Sequence, residues 1–116
     1  MELSETNLPT EIQALRLELI DDKNDPIIIN EDHQIELIVK ALSSQTRRQI
    51  LHQIQEDEEG MDVSNIASNL KMTEANISAQ VKKLEEAGLI HCNYCSGQHG
   101  VRKISKLKYN QLFIKF

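Results

Sequence analysis

The chain has 116 residues, a net charge of −5, no Trp, and only two Phe and two Tyr. That length accommodates one domain with a modest core of Ile, Leu and Val. Apolar runs are only a few residues long, which rules out a spanning helix of about 20 apolar residues, and the acidic N-terminus lacks the basic and apolar regions of a signal peptide, so a cytoplasmic protein is expected.

The charge is segregated. Residues 1–60 carry 5 Lys/Arg against 14 Asp/Glu, residues 61–116 carry 8 against 4, and from His91 onward there are five basic residues and no acidic one. A small basic surface on an acidic protein suits local, salt-dependent binding of nucleic acid, with the acidic remainder opposing indiscriminate binding.

In chain order, Leu15, Leu17 and Leu19 alternate and residues 26–29 can return as a second strand. The same stretch also fits a helix through Ile12, Leu15, Leu19 and Ile20, and strand is the reading adopted. Asn30 is placed to cap a helix whose first turn is acidic (Glu31, Asp32), as the helix dipole favours. Ile35, Ile38, Val39 and Leu42 form its apolar stripe. Ser43-Ser44 breaks the period, and a second helix runs to about residue 57 with Arg47, Ile50, Leu51 and Ile54 on one side, followed by an acidic turn to Gly60.

The most informative stretch is DVSNIASNLKMTEANISAQVKKLEEAGLI, residues 62–90. Asp62 can cap a helix that places Val63, Ile66, Ala67 and Leu70 on one face. Lys71-Met72 interrupts the pattern, and Thr73 can cap a second helix whose inward stripe is Ile77, Val81 and Leu84 and whose stop is Gly88. Its opposite face holds Ala75, Ser78, Ala79, Lys82 and Glu86, with Asn76 and Lys83 flanking. Two helices joined by a short turn spell a helix-turn-helix. Short side chains permit close approach to a groove, Asn and Ser can meet base edges, and lysines meet phosphate. The expected DNA-binding residues are therefore Thr73, Ala75, Asn76, Ser78, Ala79, Lys82 and Lys83.

Beyond Gly88 the period changes to that of strands: residues 89–94 and 101–107 read as extended around a turn at 96–100. Four helices followed by a hairpin with a basic second strand is the order of a winged helix, with Arg102 and Lys103 in the wing beside phosphates. The fold class is thus mostly α with a small β component. Residues 1–29 form an N-terminal extension, 30–107 the DNA-binding domain (recognition helix about 73–87, wing about 90–107) and 108–116 a C-terminal strand in which Leu112, Ile114 and Phe116 alternate with Phe113 and Lys115. The two ends are expected to pair and to contribute a dimer interface.

An enzyme is not indicated. There is no glycine-rich phosphate loop and no Ser/His/Asp order, and the carboxylates fall mostly in solvated runs such as Asp21-Asp22 and residues 56–59.

Taken together, ALSSQTRRQILHQI and VSNIASNLKMTEANISAQVKKLEEAGLI resemble the ArsR-type winged-helix regulators. The resemblance runs through Leu42, Ser43-Ser44, Arg47, Ile50-Leu51, Ile66-Ala67, Ser78, Leu84 and Ala87-Gly88-Leu89, over residues 34–104. It implies a homodimeric, usually repressing transcription factor bound to double-stranded DNA at a partly palindromic operator. Two departures limit the carry-over. Metal-sensing relatives place Cys-x-Cys on the first helix of the helix-turn-helix, where this chain has VSNIASNL. Where the recognition helix commonly has Ser-x-His, this chain has Ser78-Ala79-Gln80.

His91, Cys92, Cys95 and His99 are four metal-ligand types within nine residues and suit Zn²⁺ or Cu(I) in principle. On a strand, however, His91 and Cys95 point one way and Cys92 the other. The plain reading is a wing strand with two thiols and two solvated histidines, and no cofactor. A metal- or thiol-responsive regulator through Cys92 and Cys95, and a winged-helix protein-interaction module that does not bind DNA, are the alternatives.

Overall fold

The structure, a computed structural model, describes residues 15–97 and 100–116. Among them are four helices, α1 (Asp32–Leu42), α2 (Gln45–Gln55), α3 (Val63–Leu70) and α4 (Glu74–Glu86). Six strands accompany them: β1 (Arg16–Ile20), β2 (Pro26–Ile29), β3 (Met61–Asp62), β4 (Ile90–Gly97), β5 (Gly100–Leu107) and β6 (Gln111–Lys115). The strands form two antiparallel three-stranded sheets, ordered β2-β1-β6 and β3-β5-β4.

Each of these four helix starts is capped by a side chain. Glu31, rather than the expected Asn30, caps α1: its carboxylate accepts the amides of His33 at 3.0 Å and Gln34 at 2.9 Å. A charged acceptor with both oxygens engaged at the positive end of the helix outdoes a neutral amide one residue earlier. Ser44, Asp62 and Thr73 cap α2, α3 and α4 in turn. α1 buries Ile35, Ile38 and Ala41, while Val39 stays 47% exposed. The stripe read from the sequence is therefore rotated towards Ala41, because an i, i+3, i+6 row presents the smallest side chain to the neighbouring helices.

The core is aliphatic. Ile50 and Ile54 of α2 meet Ile66 and Ala67 of α3, Ile77, Val81 and Leu84 of α4, and Leu89 and Ile90 where the wing begins. Full burial of each large member is worth about 1.5–3 kcal/mol. This packing, more than helix propensity, holds four short helices in place.

Gly60 closes the turn between α2 and β3 at φ +89°; a Cβ there would stand 2.7 Å from the Ser105 carbonyl oxygen. The turn therefore brings β3 against β5, pairing Met61 with Ser105 and Asp62 with Ile104. Two residues carry no periodicity that could announce such a strand in the sequence.

The ends of the chain pair with each other. β1 lies between β2 and β6, with Leu17 opposite Ile29 and Ile114, and Leu19 opposite Ile27 and Leu112. Leu17 and Leu19 are buried, which settles the strand-or-helix ambiguity of this segment in favour of strand. Residues 1–14, including Ile12 of the helical alternative, lie outside the described residues.

Candidate nucleic-acid interface

Asp62 opens the helix-turn-helix. Its Oδ1 accepts the amide of Asn65 at 2.8 Å. α3 ends at Lys71, which adopts the left-handed conformation (φ 58°, ψ 45°) and turns the chain so that the Met72 amide donates to the Ala67 carbonyl at 2.9 Å. The Thr73 hydroxyl then accepts the Asn76 amide at 3.1 Å and starts α4. Three residues thus separate the two helices, and buried Ile77, Val81 and Leu84 fix which face of α4 looks outward.

That outward face is the one read from the sequence. Ala75, Asn76, Ser78, Ala79, Lys82, Lys83 and Glu86 are all exposed, as is the cap Thr73. Asn76 is not loose: its Oδ1 accepts Gln80 Nε2 at 3.1 Å, and its Nδ2 lies 3.8 Å from Met72 Sδ. Gln80 in turn accepts Arg47 Nη1 at 2.7 Å through Oε1.

The wing is tied to the helix-turn-helix by two ion pairs. Arg102 meets Asp62 Oδ2 with Nη2 at 2.6 Å and Nε at 2.8 Å. Lys103 meets Glu85 of α4 at 3.4 Å, with its ammonium 6.0 Å from the centroid of the Tyr94 ring. Both expected phosphate-contacting residues of the wing are therefore engaged within the protein. The Arg102 side chain remains 54% exposed and that of Lys103 20%. A cleft of about 410 Å³ runs between wing and helices, lined by Asp62, Ser64, Ala75, Ser78, Arg102 and Lys103 among others.

The four metal-ligand candidates do not come together. His91 and Cys95 face one side of β4, opposite Lys106 and Arg102, whereas Cys92 faces the other and sits 3.4 Å from the Ser105 hydroxyl. His99 lies outside the described residues, and among those described no three His, Cys, Asp or Glu side chains are placed to hold a metal ion. Burial and the nearby Glu85 carboxylate push the Cys92 thiol above its usual pKa, although the Ser105 contact and Lys103 pull the other way. Cys92 and Cys95, three positions apart on a continuous strand, have Cα atoms about 10 Å from each other. A disulfide tolerates at most about 7 Å.

A capped helix pair with a three-residue turn, backed by a hairpin pinned to both helices, defines a winged helix-turn-helix. Residues 44–91 match the family model described as bacterial regulatory protein, arsR family. Over this stretch, which spans the second helix through the start of the wing, the chain is similar to the ArsR-type transcriptional regulators. Among solved structures it resembles the homodimeric winged helix-turn-helix DNA-binding domain of Mb0332 from Mycobacterium bovis, a possible ArsR-family transcriptional regulator. The TM-score is 0.57 with 25% identity, over 66% of this chain and 65% of that one. It shares its fold with reduced HlyU from Vibrio cholerae (TM-score 0.56, 19% identity, 68% of this chain and 77% of that one). A possible transcriptional regulator from Methanosarcina mazei shares it too (TM-score 0.52, 17% identity, 80% of this chain and 75% of that one). No curated protein sequence matches the chain.

Two features of this candidate site have no signature in the sequence: the anchoring of Arg102 by Asp62, and the line from Arg47 through Gln80 to Asn76. Asp62 had announced itself only as a cap and Arg47 only as a motif residue, because the partner of each lies dozens of positions away.

Proposed function

We propose that the protein is a sequence-specific regulator of transcription that binds double-stranded DNA as a homodimer and represses. α4 enters the major groove, and the wing meets phosphates beside it. The observation that carries this reading is the outward face of α4, with short side chains at Ala75, Ser78 and Ala79 in its first turns and exposed lysines at Lys82 and Lys83 beyond. Such a face lets the backbone approach base edges while the cations lie against phosphate.

A second copy is the natural occupant of the terminal sheet. Ile27, Ile28, Phe113 and Ile114 are each 42–51% exposed, and Phe116 is fully so. The relative from Mycobacterium bovis is homodimeric. Two copies would present two α4 helices to a partly palindromic operator, with half-sites about one helical turn, roughly 34 Å, apart. On this reading residues 30–107 bind DNA in the cytoplasm, and residues 1–29 and 108–116 support the dimer.

The test is binding of the purified protein to the DNA upstream of its own coding sequence across a salt series. Tight binding to one segment, falling steeply with salt, is the expected result. Failure to bind any duplex even at low salt would overturn the reading in favour of a protein-interaction module.

A further inference from the structure

Three polar side chains form a line from the end of α1 to the outward face of α4, and its hydrogen-bond polarity is fixed by chemistry. Arg47 is held by the last carbonyls of α1, with Nε on Ala41 O at 2.8 Å and Nη2 on Lys40 O at 2.9 Å. Its Nη1 reaches the Gln80 side chain at 2.7 Å. A guanidinium has donors and no acceptor, so the Gln80 atom facing it is the carbonyl oxygen. Gln80 must then turn its NH₂ the other way, where it meets Asn76 at 3.1 Å. An NH₂ donates, so the Asn76 atom facing it is Oδ1. What Asn76 keeps for an external partner is its Nδ2 donor, whose contact here is the weakly accepting sulfur of Met72 at 3.8 Å.

We infer that Arg47 and Gln80 are positioning residues that set the amide of Asn76 as a donor, so that it favours base edges that offer acceptors alone, guanine or thymine, over adenine. An asparagine whose two amide atoms are both available pairs bidentately with adenine, giving a hydrogen bond to N7 and taking one from N6. Here an adenine N6 proton has to share an oxygen that already accepts Gln80. Guanine N7 and O6 and thymine O4 need only the donor, whereas adenine offers that donor N7 alone and sets its own N6 donor beside it. The inference rests on the proposal that α4 lies in the major groove.

The test uses the whole chain and selection of binding sites from a randomised duplex pool, with Asn76→Ala, Gln80→Glu and Gln80→Leu beside the unsubstituted protein. Gln80→Glu is nearly isosteric and keeps the Arg47 contact, but a carboxylate only accepts. Asn76 must then turn its NH₂ inward and present Oδ1 to the DNA. The selected base at the position lost in Asn76→Ala is expected to be guanine or thymine for the unsubstituted protein. In Gln80→Glu it changes to adenine or cytosine, with a shift in relative preference of roughly tenfold. Gln80→Leu cuts the line without adding charge and should raise the share of adenine at that position. In the absence of DNA, the Asn76 side-chain NH₂ resonances should move downfield in Gln80→Glu, a readout that a purely structural role for Gln80 would not produce.

If Asn76→Ala leaves every selected position unchanged, both the inference and the placement of Asn76 on a base are overturned. If Asn76→Ala loses a position at which the unsubstituted protein selects adenine, the inference alone falls and groove binding stands. The same holds if Gln80→Glu keeps the original base there.

Discussion

Asp62 serves two elements with one carboxylate. Its Oδ1 accepts the Asn65 amide and starts α3, while its Oδ2 accepts both Nε and Nη2 of Arg102 from the wing. Wing and helix-turn-helix thus share an anchor whose side chain is only 12% exposed. Asn at position 62 retains a capping oxygen but loses the charge, whereas Ala loses both. Asp62→Ala should therefore cost about 1–2 kcal/mol in chemical denaturation and Asp62→Asn less. In DNA binding, Asp62→Asn releases Arg102, so the slope of log K against log salt should steepen by about one. An unchanged slope would assign Arg102 a structural role only.

Gly60 and Gly100 separate two effects of adding a methyl group. Both have positive φ, +89° and +103°, but a Cβ at Gly60 would meet the Ser105 carbonyl oxygen at 2.7 Å whereas one at Gly100 meets nothing within 4 Å. Gly100→Ala should cost about 1 kcal/mol, the conformational penalty alone. Gly60→Ala should cost about 2–3 kcal/mol or more, because backbone must move. Equal losses in thermal or urea melts would mean that the β3–β5 approach is looser than described.

The two thiols should behave differently. Cys95 is exposed and Cys92 half-buried with a raised pKa. At neutral pH a thiol reagent should modify Cys95 at least about tenfold faster than Cys92, as read by mass spectrometry. A thiol pKa raised on folding means that the folded state holds its proton longer. Its stabilising contribution is present below the unfolded thiol pKa and is lost as pH rises through that value towards the folded one. Stability should accordingly fall at alkaline pH, and Cys92→Ala should flatten that part of the profile.

Ile28 and Phe113 sit opposite Glu18 from either side, on one face of the terminal sheet. They are 48% and 47% exposed, and Lys115 already pairs with Glu18 at 2.9 Å. Lysine at positions 28 and 113 should be compatible with the fold, since it faces a carboxylate across the strand. The double variant should keep its melting temperature within a few degrees but weaken self-association at least about tenfold in sedimentation equilibrium. An unchanged dimer constant would remove this face from the interface.

On α4, Lys82→Ala and Lys83→Ala should each weaken binding to all duplexes alike and lower the salt slope by about one. Ser78→Ala should instead alter sequence preference, with a cost of about 1–3 kcal/mol confined to the preferred site. Uniform losses from all three would sink that division of labour, as judged by titrations on the preferred and a scrambled duplex.

Local patterns carried a long way in this chain. Asp62, Thr73 and Gly88 mark the ends of the helix-turn-helix because caps and stops act over three or four residues. Ile66, Ile77, Val81 and Leu84 declare its inner face through the helical period. Because these signals are complete within one turn of chain, the outward face of α4 and the order of helices and hairpin were legible before any packing was known. Local rules misplaced features where two neighbours competed: Glu31 displaced Asn30 as the cap, and Ala41 displaced Val39 from the buried stripe.

Tertiary structure alone decided what depends on distant partners. Arg47 meets Gln80 across 33 positions and Asp62 meets Arg102 across 40. Lone polar residues carry no period, so nothing in the linear pattern couples them. The same holds for β3, two residues that become a strand only because Gly60 lets the turn lie against β5. Amphipathic repetition determines which faces turn inward, since burial is additive along an element. Which polar side chains find each other, and hence which atoms of Asn76 and Arg102 remain available to a ligand, is settled only once those faces have packed.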